Sequence, residues 1–300
     1  MRLFTLFCFF VGLFSLELGA QSFVLSFDDA PMKDSYLKGE DRTEKLLEVL
    51  AKHEVEEAVF YSLSREEEIS DRLMSYSLAG HIIANHTATH PSLEDISAEE
   101  YIAEIELAHQ RLSRYPTYQK WFRYPYLREA ENDPEKHVAI KDYLKNSGYR
   151  QGYVTVEVYD WHINSRFQQQ VANYSAEDIE RFRNFYVQML WDSLEFYEKL
   201  AKEALGYSPV HVILLHENDI NALFLGDFIQ LAKSKGFKVA PAHEAFLDPV
   251  ADTQWDYCPY SMRRLRTVAE ASGFSRKRGT PSLVSTGHLD EMMKTAQLLK

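Results

Sequence analysis

What most constrains this chain is an alternation: seven short runs rich in β-branched and aromatic residues are separated by stretches of helical character. The runs are Phe23–Phe27, Glu57–Tyr61, His81–Ala84, one ending at Trp121-Phe122, Tyr149–Val158, Val210–Leu215 and Phe237–Ala240. Between them, residues 40–53, 65–79, 97–114, 134–147, 175–205 and 220–235 read as helices. Leu46, Leu47 and Leu50 share one helical face, and Ser97 with Glu100 spells a capping box. Gly80, Gly148, Gly206 and Gly236 stand where a helix ends. Residues 163–173, with three consecutive Gln, read as a long rim loop. Parallel neighbours need a crossover of a dozen or more residues, usually a helix. Strand–helix alternation therefore predicts an α/β fold with a mostly parallel sheet. In a chain of 300 residues the economical closure is a (β/α) barrel of about seven parallel strands, whose C-terminal ends converge on one mouth.

The two ends of the chain read differently. Arg2, a largely apolar run from Leu3 to Leu16 and the small pair Gly19-Ala20 make residues 1–20 a secretory signal. The run is short of the ~20 residues that a membrane span needs. The mature chain is thus expected to be exported, periplasmic or secreted, without a transmembrane span. Removing the signal takes Cys8 and leaves Cys258 unpaired, so neither a disulfide framework nor a Cys-based zinc ribbon is available. Residues 21–250 form one large domain and 251–300 a basic extension. Residues 261–300 hold eight Lys and Arg against three Asp and Glu, in a chain of net charge −12. The extension reads as a solvated appendage docked on an acidic body, the alternative being contact with an anionic surface. The overall charge excludes the basic footprint of a nucleic-acid binder. Nothing in the sequence sets an oligomeric state.

The ionisable residues fall where the strands end. Asp28-Asp29 follow the first run, His86 and His90 the third, Arg123 the fourth and Asp160 the fifth, and His216 ends the sixth. Two imidazoles four apart share a face if they sit on a helical turn and can chelate one cation. With one Asp they make a three-ligand open site of the kind that holds catalytic zinc. The second Asp is then free to act as base on a metal-bound water. The chain has no G-x-S-x-G and no Cys placed for a triad.

This set resembles the polysaccharide deacetylases, the NodB-homology or carbohydrate esterase 4 family. Ser26-Phe-Asp-Asp-Ala-Pro31 is similar to T-F-D-D-G-P, and His86-Thr-Ala-Thr-His90 to H-[ST]-x-x-H. Phe122-Arg-Tyr-Pro-Tyr126 resembles F-R-x-P-Y, Glu157-Val-Tyr-Asp-Trp161 resembles D-x-x-D-W, and Leu214-Leu-His216 resembles L-x-H. The resemblance implies a distorted (β/α) barrel. It implies a metal held by Asp29, His86 and His90, with Asp28 as general base and Arg123 holding that base. It implies that the Tyr126 N–H helps bind the oxyanion, that Asp160 orients His216, and that His216 is the general acid. Pro125, Trp161 and Leu214 would line the substrate pocket. Two positions depart from the pattern. Ala30 replaces a Gly, at roughly 1 kcal/mol of strain had that Gly needed φ > 0. Glu157 replaces an Asp with a longer arm.

The expected activity is that of an exported, metal-dependent deacetylase, most simply a zinc enzyme. It would hydrolyse the N-acetyl amide of N-acetylhexosamine units in a cell-wall or surface polysaccharide. The alternatives are a small-molecule amidohydrolase of the same fold and a non-catalytic carbohydrate binder. Of the remaining histidines, His81 and His211 read as packed or rim-exposed, and His53, His109 and His137 as solvated. His162 and His243 read as without a chemical role, the alternative being that they reach the mouth.

Overall fold

In the computed structural model, residues 21–65, 70–253 and 258–299 are described. The secretory signal expected over residues 1–20 lies outside the described residues. The elements run β1 (Ser22–Ala30), α1 (Gly39–Lys52), β2 (Val59–Ser62), α2 (Ser70–Leu78), β3 (Ile82–Asn85), α3 (Ala98–Leu112), β4 (Tyr118–Phe122), α4 (Pro134–Asn146), β5 (Arg150–Gln151), α5 (Asp160–Gln170), α6 (Ala176–Leu205), β6 (Val210–His216), α7 (Asp219–Ser234), β7 (Lys238–Val239), α8 (Arg264–Ala271) and α9 (Thr286–Thr295). The strands pair in the order β5-β4-β3-β2-β1-β6, and every pair is parallel. The short β7 joins the first two residues of β1.

The sheet curls into a distorted barrel because one segment changes partner. Arg150 and Gln151 pair with Trp121 and Phe122 on β4. A few residues later Val156 bridges Ile213 on β6, and the Thr155 and Val156 N–H groups both donate to Val212 O. The run expected as one strand over 149–158 is therefore a two-residue strand followed by isolated bridges. Gly152 stands at the crossing, where a Cβ would collide with the Tyr61 hydroxyl.

Side chains of a strand alternate between faces. On β1, Phe23, Leu25 and Phe27 point to the helices and join the large outer core, with Phe60, Ile83, Ile213 and Leu215 from neighbouring strands. Val24, Val59, Tyr61, Ile82, Ala84, Trp121 and Val212 fill the barrel's inner face. Burial on both faces explains why these strands read as near-continuous apolar runs. The helices stop and start as their caps dictate: Ser97 and Glu100 cap α3 reciprocally, and α6 ends at a left-handed Gly206.

Two expectations are corrected. Residues 163–170 are not a rim loop but most of α5, with a 3₁₀ turn over Val171–Asn173. Ile163 and Phe167, one turn apart, are fully buried, while Gln168 and Gln169 face outward. The polar Gln run masked that stripe. The basic extension is not a solvated appendage. Met262, Leu265, Ala269, Leu289, Met293 and Leu298 are buried, α8 packs on α6, and Arg263 and Val154 bridge at the barrel wall. Among the described residues no helix is long and apolar enough to cross a membrane.

Candidate active site

The inner-face alternation carries straight into the mouth. Val24, Ser26 and Asp28 follow one another on β1; Ala84 leads to His86, Trp121 to Arg123, and Leu214 to His216. Strand period alone thus brings a carboxylate, an imidazole, a guanidinium and a second imidazole to the same end of the barrel. Asp28, His86 and His216 line a cavity of about 560 Å³, and Arg123 lies buried behind Asp28.

Asp29, His86 and His90 form the one group of three or more candidate ligands among the described residues, with ligand atoms all within 4.8 Å of one another. Asp29 Oδ1 lies 3.2 Å from His90 Nε2 and 3.7 Å from His86 Nε2. It is buried and accepts no hydrogen bond. A buried carboxylate oxygen without a donor is costly, and a cation there would satisfy it. His86 Nδ1 donates to Arg123 O at 2.7 Å, which leaves the Nε2 lone pair for a ligand. Burial, reinforced by the neighbouring His90, pushes the His86 imidazole down to about 3 against the pull of Asp29. Burial also lowers His90, opposed by Asp29 and Asp28. Both rings are therefore neutral near pH 7, as metal ligation requires. The donor set of two imidazoles and one carboxylate fits a divalent cation of the zinc type.

The expected helical turn at this motif is corrected. Residues 86–90 form a loop with Thr87 and His90 both left-handed, at φ 68°. Side-chain hooks hold it: the Thr87 N–H donates to Asn85 Oδ1 and the His90 N–H to Thr87 Oγ1. At the first motif the left-handed residue is Asp29 (φ 65°) and not Ala30, so the Ala in place of Gly carries no such strain. Non-glycine residues with positive φ gather around the cavity, Asp29, His90, Tyr126 and Leu127 among them. Such backbone concentrates where function over-determines it.

Two ion pairs flank the ligand group. Arg123, fully buried, donates from one terminal nitrogen to Asp28 Oδ1 at 2.6 Å and to Ser26 Oγ at 2.8 Å. Its Nε donates to Gly152 O, and its guanidinium lies 3.9 Å from the Tyr61 ring centroid. Asp28 is thereby fixed with its other oxygen 3.8 Å from His86 Nε2. On the neighbouring strand β6, where His216 is the register partner of Asp28, His216 Nδ1 donates to Asp160 Oδ1 at 2.7 Å. Asp160 is fully buried at the first turn of α5, where the helix dipole favours an anion. It also accepts from the His216 N–H, Asn218 Nδ2 and Asn221 Nδ2. Burial works against a charged His216, but Asp160, with help from Asp29 and Asp28, lifts it to about 9. His216 is therefore an imidazolium near neutral pH.

Tyr126, Leu127, Arg128, Glu157, Val158, Tyr159, Trp161, Leu214 and Arg263 complete the wall. Tyr126 and Trp161 are 57% and 45% exposed, which makes them rim aromatics. Pro125, expected beside the substrate, is buried and does not line the cavity. His162 is engaged with Asp290 and His243 with Glu57, and neither reaches the lining. His137 is buried with its ring on Glu129 O and not solvated. Sequence reasoning missed Arg263. Nothing local marks one arginine in a basic tail, and only the unexplained Glu157 hinted at a cationic partner.

A family model described as polysaccharide deacetylase matches residues 16–151. It stops short of Asp160 and His216, which the fold itself brings to the site. A curated relative, a peptidoglycan-N-acetylglucosamine deacetylase of Bacillus cereus, is 31% identical over 109 residues. That match spans 36% of this chain and 37% of the relative's length. Among solved structures, the catalytic domain of a peptidoglycan N-acetylglucosamine deacetylase from Eubacterium rectale shares 17% identity. It superposes with a TM-score of 0.55, covering 80% of this chain and 94% of that one. A mutant of a CE4 family pseudoenzyme is also similar, at 18% identity and TM-score 0.51 over 76% of this chain and 68% of that one. These structural likenesses show the fold. With the strand-end motifs, the sequence match makes residues 16–151 similar to the polysaccharide deacetylase family, and the chain spans little more than a third of the curated relative it matches.

Proposed function

We propose that this protein is an exported, divalent-metal-dependent deacetylase that removes the N-acetyl group from N-acetylhexosamine units of a cell-wall or surface polysaccharide. The observation that carries this reading is the pair of proton devices beside one ligand group: Asp28 held by Arg123, and His216 held by Asp160. A metal-free binder has no use for a buried base and a charged acid beside one ligand group. A fold shared with a pseudoenzyme does not by itself carry activity, so the weight rests on these side chains.

A divalent ion of the zinc type, bound by Asp29, His86 and His90, would polarise the acetyl carbonyl and acidify water. The chain's own residues supply the rest. Asp28 takes the proton of the attacking water, its carboxylate aimed by Arg123. The Tyr126 N–H faces the developing oxyanion. His216, charged near pH 7, gives its proton to the amine nitrogen as the C–N bond breaks, because a free amine anion leaves poorly. Tyr126 and Trp161 at the rim are suited to stack on sugar rings, and Leu214 lies beside the acetyl methyl. The leader-like residues 1–20 support export, and the curated relative supports a peptidoglycan-like substrate.

The test is acetate release from a panel of peptidoglycan fragments, chitin oligomers and small cyclic amides, with zinc, cobalt or nickel added. Turnover of an acetylated glycan by wild type, falling 10²–10⁴-fold in Asp28→Asn at full metal occupancy, is the expected result. Ring opening of cyclic amides with no acetate from any glycan would replace this reading with that of a small-molecule amidohydrolase.

A further inference from the structure

Arg263 enters the cavity from the C-terminal region, more than a hundred residues beyond the end of the family match. Its backbone is pinned to the barrel: the Val154 N–H donates to Met262 O, and the Arg264 N–H donates to Val154 O. Its side chain spans three acceptors. Nε donates to both Glu157 oxygens at 3.1 and 3.3 Å, one terminal nitrogen to Leu127 O at 3.0 Å and the other to Tyr126 O at 3.4 Å. Those carbonyls belong to two adjacent residues in the left-handed region, Tyr126 at φ 60° and Leu127 at φ 52°. Neither is glycine, so each costs energy unless something external holds it. The planar fork of an arginine suits such multiple acceptors, where a lysine ammonium does not.

The geometry points to Arg263 as a positioning residue. It clamps the Tyr126–Leu127 backbone in its strained conformation, and so aims the Tyr126 N–H, with Glu157 as the anionic anchor of the clamp. This assignment rests on the proposed deacetylase reading for its effect on rate, and on contacts alone for the clamp. It also explains Glu157: the longer arm in place of Asp reaches the guanidinium, and the pair adds no net charge to a cavity that already holds Asp28 and Asp29.

Arg263→Met is compared with wild type and with the double variant Glu157→Gln/Arg263→Met, all metal-saturated. Two readouts are taken: steady-state kinetics on the glycan that wild type deacetylates, and hydrogen exchange of the segment 124–130. The clamp predicts that kcat falls ~10–10²-fold with KM within ~3-fold, since a misaimed transition-state donor costs rate more than binding. It predicts that the Leu127 and Arg128 amides, which donate to Tyr124 O and Pro125 O, exchange at least ~10-fold faster. It predicts no recovery in the double variant. Recovery there would show that a stranded Glu157 charge was the whole effect, and would overturn the clamp. Unchanged kcat and unchanged exchange would overturn it as well. If wild type deacetylates no glycan, the functional reading fails and exchange alone decides the clamp. If the Met variant does not fold, Arg263→Lys carries the same readouts, because it keeps a cation beside Glu157 but cannot span all three acceptors.

Discussion

Asp160→Asn isolates the electrostatic support of the acid. Asp160, acting against burial and assisted by Asp29 and Asp28, raises His216 from its ordinary 6.5 to about 9. At 1.36 kcal/mol per pH unit that gap is ~3 kcal/mol of preference for the charged ring. A divalent ion beside Asp29 would weaken the share due to Asp28 and Asp29 and so would lower His216 in the loaded protein. The substitution removes the negative charge while leaving an oxygen that accepts from Nδ1. Burial, the largest influence, is then opposed only by the more distant carboxylates, and the ring drops to about 6.5 or lower. At pH 8 the charged fraction falls from about nine-tenths to a few per cent, roughly 30-fold. The kcat/KM profile on a chromogenic acetylated substrate should lose its alkaline shoulder, the limb moving down by one to two pH units. Water on a metal held at this site would titrate nearby, so the limb would belong to a coupled set, and the shift between variants is the informative quantity.

Linkage gives an independent assay on metal-free protein. A group raised on folding contributes its full stability below its unfolded value and loses it as pH rises through the folded one. Wild type should therefore shed up to ~3 kcal/mol between about pH 6.5 and 9, followed by urea unfolding, and Asp160→Asn should not show that slope. The variant will also be less stable at every pH, because its new amide nitrogen faces the donors of Asn218 and Asn221. The slope and not the level is diagnostic. An alkaline limb within ~0.3 units of wild type, or parallel stability curves, would remove Asp160 from the acid's support.

Two further outcomes follow from particular contacts. His86→Ala should lose its metal by elemental analysis while keeping its circular dichroism, with affinity reduced by more than the ~10–100-fold typical of outer partners; full occupancy would sink the ligand assignment. Arg42→Met should take from Asp219 its cationic partner, leave Glu217 to Arg72 and Tyr76, both carboxylates being fully buried, and release the Lys33 carbonyl just after the Asp28-Asp29 turn. Breaking such a pair costs about 3–5 kcal/mol, or roughly 10 °C in Tm by calorimetry; a Tm within 2–3 °C of wild type would show the network to be expendable.

The sequence by itself determined the local geometry and, through it, much of the site. A strand's period of two is a property of the backbone, so the order Val24, Ser26, Asp28 already says that Asp28 enters the barrel if Val24 does. The same period carries His86, Arg123 and His216 to the mouth. Helix ends were legible for the same reason, since Ser97 with Glu100 and the left-handed Gly206 act within a few residues. Where polarity masked packing, the reading failed: the Gln run hid the Ile163 and Phe167 stripe of α5. Where a loop was held by side chains, it failed too, because Asn85 and Thr87 hold residues 86–90 out of helix. Only the tertiary structure decided who meets whom. Residues 150–156 leave β4 for β6, and that crossing closes the barrel. The fold sets His216 against Asp160, 56 residues apart, and delivers Arg263 to Glu157 across 106. Periodicity is fixed by covalent geometry and is written in every short window; such partnerships exist only once closure has made distant segments neighbours, and no window of sequence contains both ends.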